Sequence, residues 1–278
     1  MTLTDEQLER YARHIILREV GGVGQAKLLQ SKVLVIGAGG LGSPLILYLI
    51  AAGVGTIGVV DADTVSISNL QRQILHHTDD LGECKTDSAL RAARKLNPDV
   101  KIQTYPARLT AAWGMSLMKQ YDIICDGTDN FPTRFYINDA AFFMGKTLVS
   151  AAVGQFDGQL AVFKPAYRPN GQRLYPCYRC LYPEPPPPGT VPSCTEAGIL
   201  GALTGVMGSL QAMEVLKELL GIGETMAGRL MLYDGLDARF RTVTVKPDPE
   251  CALCGPNPSI LDIGQHMDDP VICGVERS

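Results

Sequence analysis

The stretch VLVIGAGGLGSPLILYLIAAGVGTIGVVDAD, residues 33–63, decides the fold of this chain. An apolar run, Val33–Ile36, leads into the glycine-rich segment GAGGLG, and uncharged residues of helical length follow at Leu41–Ala52. A second apolar run, Ile57–Val60, ends at Asp61. This order of strand, glycine-rich turn, helix, strand and acidic residue is typical of a nucleotide-binding βαβ unit.

The glycines in this unit have separate physical roles. Gly37 allows the tight turn, Gly39 lets the backbone approach a phosphate, and Gly42 lets the helix pack closely on the strand. The N–H groups at the start of the helix then offer an anion site, which the helix dipole strengthens. Asp61 can accept hydrogen bonds from ribose hydroxyls. The pattern therefore predicts nucleotide binding, without saying which nucleotide is bound.

The composition is that of an ordinary globular protein. The chain has 278 residues, of which 46% are hydrophobic and 19% charged, enough for one large domain or two small ones. A net charge of −4 argues against nucleic-acid binding, which needs clustered Lys and Arg. No signal peptide precedes the first helix, so we expect a cytoplasmic protein.

One uncharged run raises the question of a membrane span. No charge occurs between Lys32 and Asp61, which is long enough to cross a bilayer. However, Pro44, Gly53 and further glycines divide the run into helix-sized and strand-sized pieces, and helices behind parallel sheets are apolar too. We therefore expect no contact with a membrane.

The rest of the chain alternates between strands and helices before the pattern changes. A capping box at residues 4–7 starts a first helix, and strands are expected at 101–105, 121–125 and 147–151, with helices at 84–96, 111–119 and 131–144. Later strands, at 158–164, 229–232 and 239–245, have little helix between close neighbours, and a long helix is expected at 195–220. We predict an α/β, Rossmann-like doubly wound sheet, parallel in the N-terminal half and continued by antiparallel strands in the C-terminal half.

Two Cys-x-x-Cys pairs, Cys177 with Cys180 and Cys251 with Cys254, are the clearest metal signal. Two such pairs most often hold one structural zinc ion with all four positions filled, so the site would not be catalytic. Redox Cys-x-x-Cys chemistry and chance are the alternatives.

The other cysteines offer no pattern of their own. Eight cysteines without a leader indicate metal or thiol chemistry rather than disulfides. For Cys84, Cys125 and Cys273 no pairing is evident from the sequence.

Polar residues after the glycine-rich unit are suited to phosphates. Arg72 and Lys85 could compensate phosphate charge, with Asn69 as a neutral donor. Asp129 follows the end of a predicted strand, where open α/β sheets bind their ligands, and a carboxylate there suits Mg²⁺. The simpler interpretations are a solvated surface for the basic residues and a turn or helix cap for Asp129. His76 and His77 are expected in a solvated loop.

Several segments together resemble one family. They are RYARHI, GVGQAKLLQSKVLVIGAGGLGSP, DADTVSISNLQRQ, GECK, DGTDNFPTRFYIND, PCYRCLYPEPP and GVMGSLQAMEVLK. In this order they are similar to the MoeB/ThiF/HesA group, the bacterial relatives of ubiquitin-activating enzymes, over roughly residues 5–255. The resemblance is closest to the MoeB-like members.

The resemblance implies an ATP-dependent adenylyltransferase. It implies that the C-terminal glycine of a small ubiquitin-like sulfur carrier ending in Gly-Gly, MoaD-like or ThiS-like, becomes an acyl-adenylate before thiocarboxylate formation. The cofactors implied are ATP, Mg²⁺ and structural zinc. Matched by motif, the nucleotide-binding residues are Gly37, Gly39, Gly40, Gly42, Asp61, Asp63, Asn69, Arg72, Lys85 and Asp129, the last holding Mg²⁺. Arg72, Lys85 and Asp129 would serve catalysis.

The family also implies a homodimer with composite sites, in which Arg13 reaches the triphosphate bound by the neighbouring subunit. Cys194 occupies the position of a cysteine that some members use for thioester or persulfide chemistry and others leave idle. At the start of a long helix, the dipole would favour its thiolate. The alternative is a loop cysteine near the tail of the carrier.

We expect one adenylation domain over residues 1–255, with a nucleotide-binding half at 1–165 and a carrier-binding, zinc-holding half at 166–255. The tail, 256–278, matches nothing in the family pattern. The chain is too short for the rhodanese domain that some relatives carry, so sulfur would come from a separate donor protein.

Three other functions are compatible with parts of the sequence. An NAD-dependent dehydrogenase would use the same glycine-rich unit and Asp61, but would leave Arg72, Lys85 and the cysteine pairs unexplained. A non-catalytic scaffold for a ubiquitin-like partner would not need these residues. Adenylation of a peptide or a tRNA acceptor would use the same site.

Overall fold

The structure is a computed structural model that describes residues 3–165, 167–172, 174–187, 189–190, 194–266 and 271–274, with the backbone alone at 194 and 195. One eight-stranded sheet runs through it in the order β3-β2-β1-β4-β5-β6-β7-β8. The strands are β1 Lys32–Ile36, β2 Thr56–Val60, β3 Lys101–Tyr105, β4 Ile123–Asp126, β5 Thr147–Val153, β6 Asp157–Phe163, β7 Arg229–Asp234 and β8 Arg239–Thr244.

The first five strands are parallel and the last three pairings are antiparallel. The predicted fold class is therefore confirmed, including the change of direction after β5. Strand order reverses between β1 and β4, and in open α/β sheets ligands bind at such a point, beyond the carboxyl ends of the strands.

Helices cover both faces of the sheet. The helices are α1 Asp5–Arg10, α2 Ala12–Ile15, α3 Gly21–Gln30, α4 Gly42–Ala51, α5 Lys85–Leu96, α6 Ala111–Met118, α7 Phe131–Met144, α8 Cys194–Ala197 and α9 Gly201–Leu220. One core lies under α4, α5 and α9, and a second lies under α6 and α7 on the other face. Among the described residues no helix has the length and apolarity needed to cross a bilayer.

The first helix begins as the sequence indicates. The Thr4 hydroxyl accepts a hydrogen bond from the Gln7 amide, and the Gln7 side chain accepts one from the Thr4 amide, which completes the capping box. Two orphan donors of the helix start are satisfied in this way.

The prediction of one long helix at 195–220 is wrong in one respect. The structure has a four-residue helix, Cys194–Ala197, and a separate long helix that begins at Gly201. Gly198 between them has a φ of +76°, a left-handed conformation that ends a helix. At the start of the long helix, Gly201 lies so close to the Gln71 carbonyl that a Cβ would be only 2.2 Å from its oxygen.

The expectation that the cysteines form no disulfide is also wrong for one pair. Cys84 and Cys273 are joined by a disulfide across 189 residues of chain. No local pattern indicates this pairing, because the two residues belong to segments that only the folded chain brings together.

The start of helix α4 packs against the end of β1 so closely that no side chain fits between them. A Cβ on Gly42 would lie 1.9 Å from the carbonyl oxygen of Gly37, well inside contact distance. Because that oxygen belongs to the backbone, it cannot move aside as a flexible side chain could. By contrast, a Cβ on Gly22 in α3 would meet nothing within 4 Å.

We predict that Gly42→Ala lowers the free energy of unfolding by about 2 kcal/mol or more, since backbone must shift to admit the methyl group. Gly22→Ala is the matched control and should leave stability unchanged or slightly raised, because alanine favours a helix. Urea denaturation of both variants measures the difference. Equal midpoints would contradict the close packing of α4 on β1.

Candidate functional site

The glycine-rich loop lies at the switch point of the sheet. Gly37 has a φ of +96°, and its amide donates to the carbonyl of Val60 on β2 (2.8 Å). A Cβ on Gly37 would lie 2.7 Å from the carbonyl oxygen of Gly127, which follows β4. The loop is therefore wedged between the ends of three neighbouring strands.

Two further glycines in the loop face different surroundings. At Gly39 the nearest atom to an added Cβ, at 3.8 Å, would be the amide nitrogen of Gln73, so the backbone there is open to a ligand. At Gly40 a Cβ would lie 2.9 Å from the methyl group of Thr204 on α9. Helix α9 thus supports the loop from behind while Gly39 remains approachable.

Asp61 is tied directly to this loop. Its carboxylate accepts hydrogen bonds from the Ala38 amide (2.7 Å) and the Asp63 amide (2.8 Å). Burial raises the pKa of the Asp61 carboxyl, and the charge of Lys85 acts against that rise. Each carboxylate oxygen keeps a second lone pair, so the side chain can still accept a hydrogen bond from a sugar hydroxyl.

Lys85 occupies the first position of α5 and is almost wholly buried. Its ammonium group donates to the carboxylate of Asp63 (2.8 Å), and its amide donates to the Asp63 carbonyl (3.0 Å). Ala38, Asp61, Asp63 and Lys85 therefore form one chain of hydrogen bonds from the glycine-rich loop to a cation.

The Arg72 segment is connected to the same loop through Thr204. Its guanidinium donates to the Ser68 carbonyl (3.0 Å), and its own carbonyl accepts from the hydroxyl of Thr204 (3.4 Å). Because Thr204 also packs against Gly40, one side chain of α9 touches both the loop and the Arg72 segment. The sequence prediction that Arg72 and Lys85 accompany the glycine-rich unit is thus consistent with their placement.

A buried polar network closes the floor of the site at the end of β4. Asp126 is fully buried and forms an ion pair with Arg134 (3.0 Å). Its carboxylate also accepts from Ser150 (2.8 Å) and Thr128 (2.6 Å). The backbone carbonyl of Asp126 accepts from Gln211 of α9 (2.8 Å). This network satisfies a charge that would be costly to bury alone.

Asp129 projects from the loop that follows this network. The side chain is exposed, and within the part of the chain that the structure describes its carboxylate takes part in no hydrogen bond or ion pair. The helix cap that was one interpretation of Asp129 belongs instead to Asn130, whose side chain accepts from the Thr133 amide (3.0 Å).

Of the remaining predicted site residues, only Asn69 contacts the residues above among those that the structure describes, since its carbonyl accepts from the Arg72 amide (3.1 Å). Asn69 ends a 3₁₀ turn, Ile67–Asn69, three residues before Arg72 and is half-buried. Arg13 on α2 is exposed and makes no ion pair with the described residues. Cys194 begins the short α8 rather than the long helix, so the dipole argument for its thiolate does not hold, and its side chain is outside the described residues.

His76 contradicts the sequence prediction of a solvated loop. It is buried, and its Nε2 donates to the carbonyl of Ala38 in the glycine-rich loop (2.9 Å), while its Nδ1 lies 2.8 Å from the Ser88 hydroxyl. Burial lowers the pKa of the His76 imidazole, which favours the neutral ring. Sequence reasoning missed His76 and Gln211 because their partners are remote in the chain. It also missed the ion pair between Asp126 and Arg134, whose members are close in the chain but whose burial no local pattern indicates.

The four paired cysteines meet as the sequence predicts. Their sulfur atoms all lie within 4.8 Å of one another, for example Cys177 with Cys251 at 3.6 Å and Cys180 with Cys254 at 3.4 Å. Four sulfurs around a tetrahedral zinc ion, with Zn–S bonds of about 2.3 Å, stand about 3.8 Å apart. A hydrogen bond with Cys177 lowers the pKa of the Cys180 thiol, which favours the thiolate that a metal ion binds. The donor set and its spacing therefore fit zinc.

A second buried ion pair connects this cluster to α7. The guanidinium of Arg179, between two of the cysteines, forms two hydrogen bonds of 2.8 Å to the carboxylate of Asp139. His266 also lies 2.8 Å from that carboxylate. Asp139 is fully buried, and its bonds to His266 and Arg179 outweigh its burial, so the pKa of its carboxyl is lowered.

Comparison with known proteins agrees with this architecture. The family model of the ThiF family matches residues 11–253 of this chain. The sulfur carrier protein adenylyltransferase of Thermus thermophilus is 50% identical over 277 residues, covering 99% of this chain and 100% of that one. The SAMP-activating enzyme E1 of Haloferax volcanii is 48% identical over 255 residues, covering 92% of each chain.

Among solved structures, the crystal structure of E. coli MccB with MccA-N7isoASN superimposes with a TM-score of 0.75. It is 20% identical and the match covers 89% of this chain and 74% of that one, so the likeness shows the fold alone. The match to the family over most of the chain, together with a relative identical at half of its positions, assigns this chain to the ThiF family.

Proposed function

We propose that this protein is an adenylyltransferase that uses ATP to activate the C-terminal glycine of a small ubiquitin-like sulfur carrier, MoaD-like or ThiS-like. The observation that carries the proposal is the arrangement around the glycine-rich loop. Hydrogen bonds lead from Ala38 through Asp61 and Asp63 to Lys85, and Thr204 connects Gly40 to Arg72. Lys85 and the Arg72 segment are thus both connected to the loop, and a triphosphate needs cationic side chains of this kind.

The reaction needs little covalent chemistry from the enzyme. A carboxylate oxygen of the carrier's last glycine attacks the α-phosphorus of ATP, the bond from that phosphorus to the bridging oxygen breaks, and pyrophosphate leaves. The carrier brings its own nucleophile, so the enzyme contributes orientation and charge stabilisation. Backbone amides of the loop, Asn69, Arg72 and Lys85 would bind the phosphates, and Asp61 would hold the ribose.

Mg²⁺ would be held by Asp129. Its exposed carboxylate at the carboxyl end of β4 is a hard oxygen ligand, and Mg²⁺ in phosphate sites takes one or two such ligands together with phosphate oxygens. Bound there, the ion would offset the negative charge on the leaving pyrophosphate.

The proposed partners follow from the family. We expect a homodimer in which Arg13 of one subunit reaches the triphosphate of the other, a carrier bound by the half at 166–255, and a separate sulfur donor protein. A structural zinc ion would occupy the four-cysteine cluster. Because the reaction consumes ATP and the proposed zinc site needs its four cysteines reduced, we place the protein in the cytoplasm. Cys194 would act, if at all, after adenylation.

The first prediction concerns ATP–pyrophosphate exchange with Mg²⁺ and candidate carriers ending in Gly-Gly. Exchange should depend on one carrier, and Lys85→Met, Arg72→Ala and Asp129→Asn should each lower it by about 100-fold, since each removes charge stabilisation of the transition state. Lys95→Met, an exposed charge at the other end of α5, is the control and should leave exchange unchanged. Exchange equally insensitive to all four substitutions would contradict the proposed site.

The second prediction tests the composite site. The Arg13→Ala and Lys85→Met proteins should each be inactive alone. When equal amounts of the two are mixed and allowed to exchange subunits, the mixture should recover about a quarter of wild-type activity. Half of the random dimers are mixed, and each mixed dimer has one intact site. The control is Arg10→Ala, on the neighbouring helix α1, mixed with Lys85→Met in the same way. It tests whether loss of any arginine from these first two helices has the same effect. No recovery from the Arg13→Ala mixture would argue against an arginine supplied by the partner subunit.

The third prediction concerns zinc. The purified protein should contain one zinc ion per chain, and Cys251→Ser should lose it and lower the unfolding midpoint by more than about 5 °C, because metal binding energy is folding energy. Cys125→Ser, a cysteine buried in β4 away from the cluster, should keep its zinc and serves as the control. Full zinc content in Cys251→Ser protein would exclude the cluster as the metal site.

A further inference from the structure

A short strip of the C-terminal tail, residues 271–274, runs beside the end of β3. The Arg108 amide donates to the carbonyl of Val271 (2.7 Å), and the Cys273 amide donates to the carbonyl of Pro106 (2.8 Å). Ala107 and Ile272 form an isolated antiparallel bridge between them. The strip therefore extends the edge of the sheet at its carboxyl end, the end where the proposed nucleotide site lies.

The disulfide from Cys273 joins this strip to the start of α5. Cys84 is the residue that precedes Lys85 at the helix start, and the two Cα atoms of the disulfide are 6.1 Å apart, an ordinary separation for such a bond. The sulfur of Cys273 lies 3.5 Å from the carbonyl oxygen of Asp63. The strip thus touches both segments that supply the Asp63–Lys85 ion pair.

These two segments are already paired with each other. Thr64 and Cys84 form an antiparallel bridge, the Val65 amide donates to the Glu83 carbonyl (2.8 Å), and the Gly82 amide donates to the Val65 carbonyl (2.9 Å). The loop after β2 and the start of α5 are therefore joined into one unit that carries Asp61, Asp63 and Lys85. The disulfide fixes a third segment, the strip, to that unit.

The chemistry of this pair differs from that of the other described cysteines. Cys84 and Cys273 are half-buried and open to small thiols, and the neighbouring Ile272 is exposed. Cys125 is fully buried, and burial raises the pKa of its thiol, which makes it unreactive. Three of the four clustered cysteines are buried and fit a metal site instead.

We propose that Cys84 and Cys273 form a redox modification site whose closure fixes the tail strip over the rim of the nucleotide site and strengthens the binding of ATP. This inference rests on the proposed nucleotide site. In the closed state the unit that carries Asp61 and Lys85 is held in its binding conformation before ATP arrives, which lowers the ordering cost of binding. In the open state the strip is attached by backbone hydrogen bonds alone.

The exchange partner is a small thiol–disulfide couple such as glutathione. To close the site, the thiolate of one cysteine attacks oxidised glutathione, releases one glutathione thiolate and becomes a mixed disulfide. The second cysteine, as a thiolate, then attacks the protein sulfur of that mixed disulfide and releases the second glutathione. Two protein thiols are oxidised to one disulfide, and one glutathione disulfide is reduced to two thiols. An excess of reduced glutathione reverses both steps.

The first test does not depend on activity. Zinc-loaded full-length protein is equilibrated with oxidised or reduced glutathione, free thiols are alkylated, and peptides are mapped by mass spectrometry. We expect a peptide linked through Cys84 and Cys273 after oxidation and two alkylated thiols after reduction. Hydrogen exchange at the Arg108 amide, which donates to the strip, should be faster in the reduced protein. Absence of the linked peptide would overturn the inference.

The second test measures ATP binding in the presence of Mg²⁺ by calorimetry. The oxidised protein should bind ATP at least about threefold more tightly than the reduced protein, through the lower ordering cost. Cys84→Ser and Cys273→Ser proteins should bind like the reduced wild type in both buffers, with zinc content unchanged throughout. Equal affinity of oxidised and reduced wild type, despite the linked peptide, would overturn the inference.

The same samples separate this inference from the proposed function. A redox-dependent affinity for ATP without pyrophosphate exchange on any carrier would contradict carrier adenylation and support the redox site. Carrier-dependent pyrophosphate exchange, together with an ATP affinity that is the same in oxidised and reduced glutathione, would support adenylation and overturn the redox site.

Discussion

The close approach of Gly42 to the Gly37 carbonyl is the constraint on which the rest of the structure depends. No side chain fits between α4 and the end of β1, and Gly37 is itself too close to the Gly127 carbonyl after β4 to carry a Cβ. Helix α4 can therefore point its N-terminal amides directly at the space beyond β1, where an anion gains from both the free N–H groups and the dipole. Asp61, His76 and Thr204 then hold the loop in this position through contacts to Ala38 and Gly40.

Helix α9 connects this loop to the antiparallel half of the sheet. Thr204 packs on Gly40, and Gly208 approaches the Leu41 carbonyl so closely that a Cβ would be 2.4 Å from it. Further along, Gln211 donates to the carbonyls of Asp126 (2.8 Å) and Val149 (3.0 Å), at the ends of β4 and in β5. One helix therefore contacts the glycine-rich loop, the buried network at the end of β4 and the strands that lead to the C-terminal half.

How much of this could be predicted from the sequence depended on the range of the interactions. The βαβ unit, the capping box at Thr4 and the change to antiparallel strands were predictable because they rest on local periodicity and turn chemistry. The spacing within each cysteine pair indicated zinc in the same local way. His76, Gln211 and the Cys84–Cys273 disulfide were not predictable, because their partners lie tens of residues or more away. The break between α8 and α9 was not predicted because Gly198 lies within an apolar run that also suits a continuous helix.

The most direct test of the central claim is the mass of the carrier after incubation with the protein, ATP and Mg²⁺, with pyrophosphatase added to remove the leaving group. The account predicts a carrier heavier by one adenylyl group at its C-terminal glycine, lost on treatment with hydroxylamine, and absent when Lys85→Met protein is used. A carrier of unchanged mass with every Gly-Gly candidate, in samples of protein that bind ATP, would contradict it.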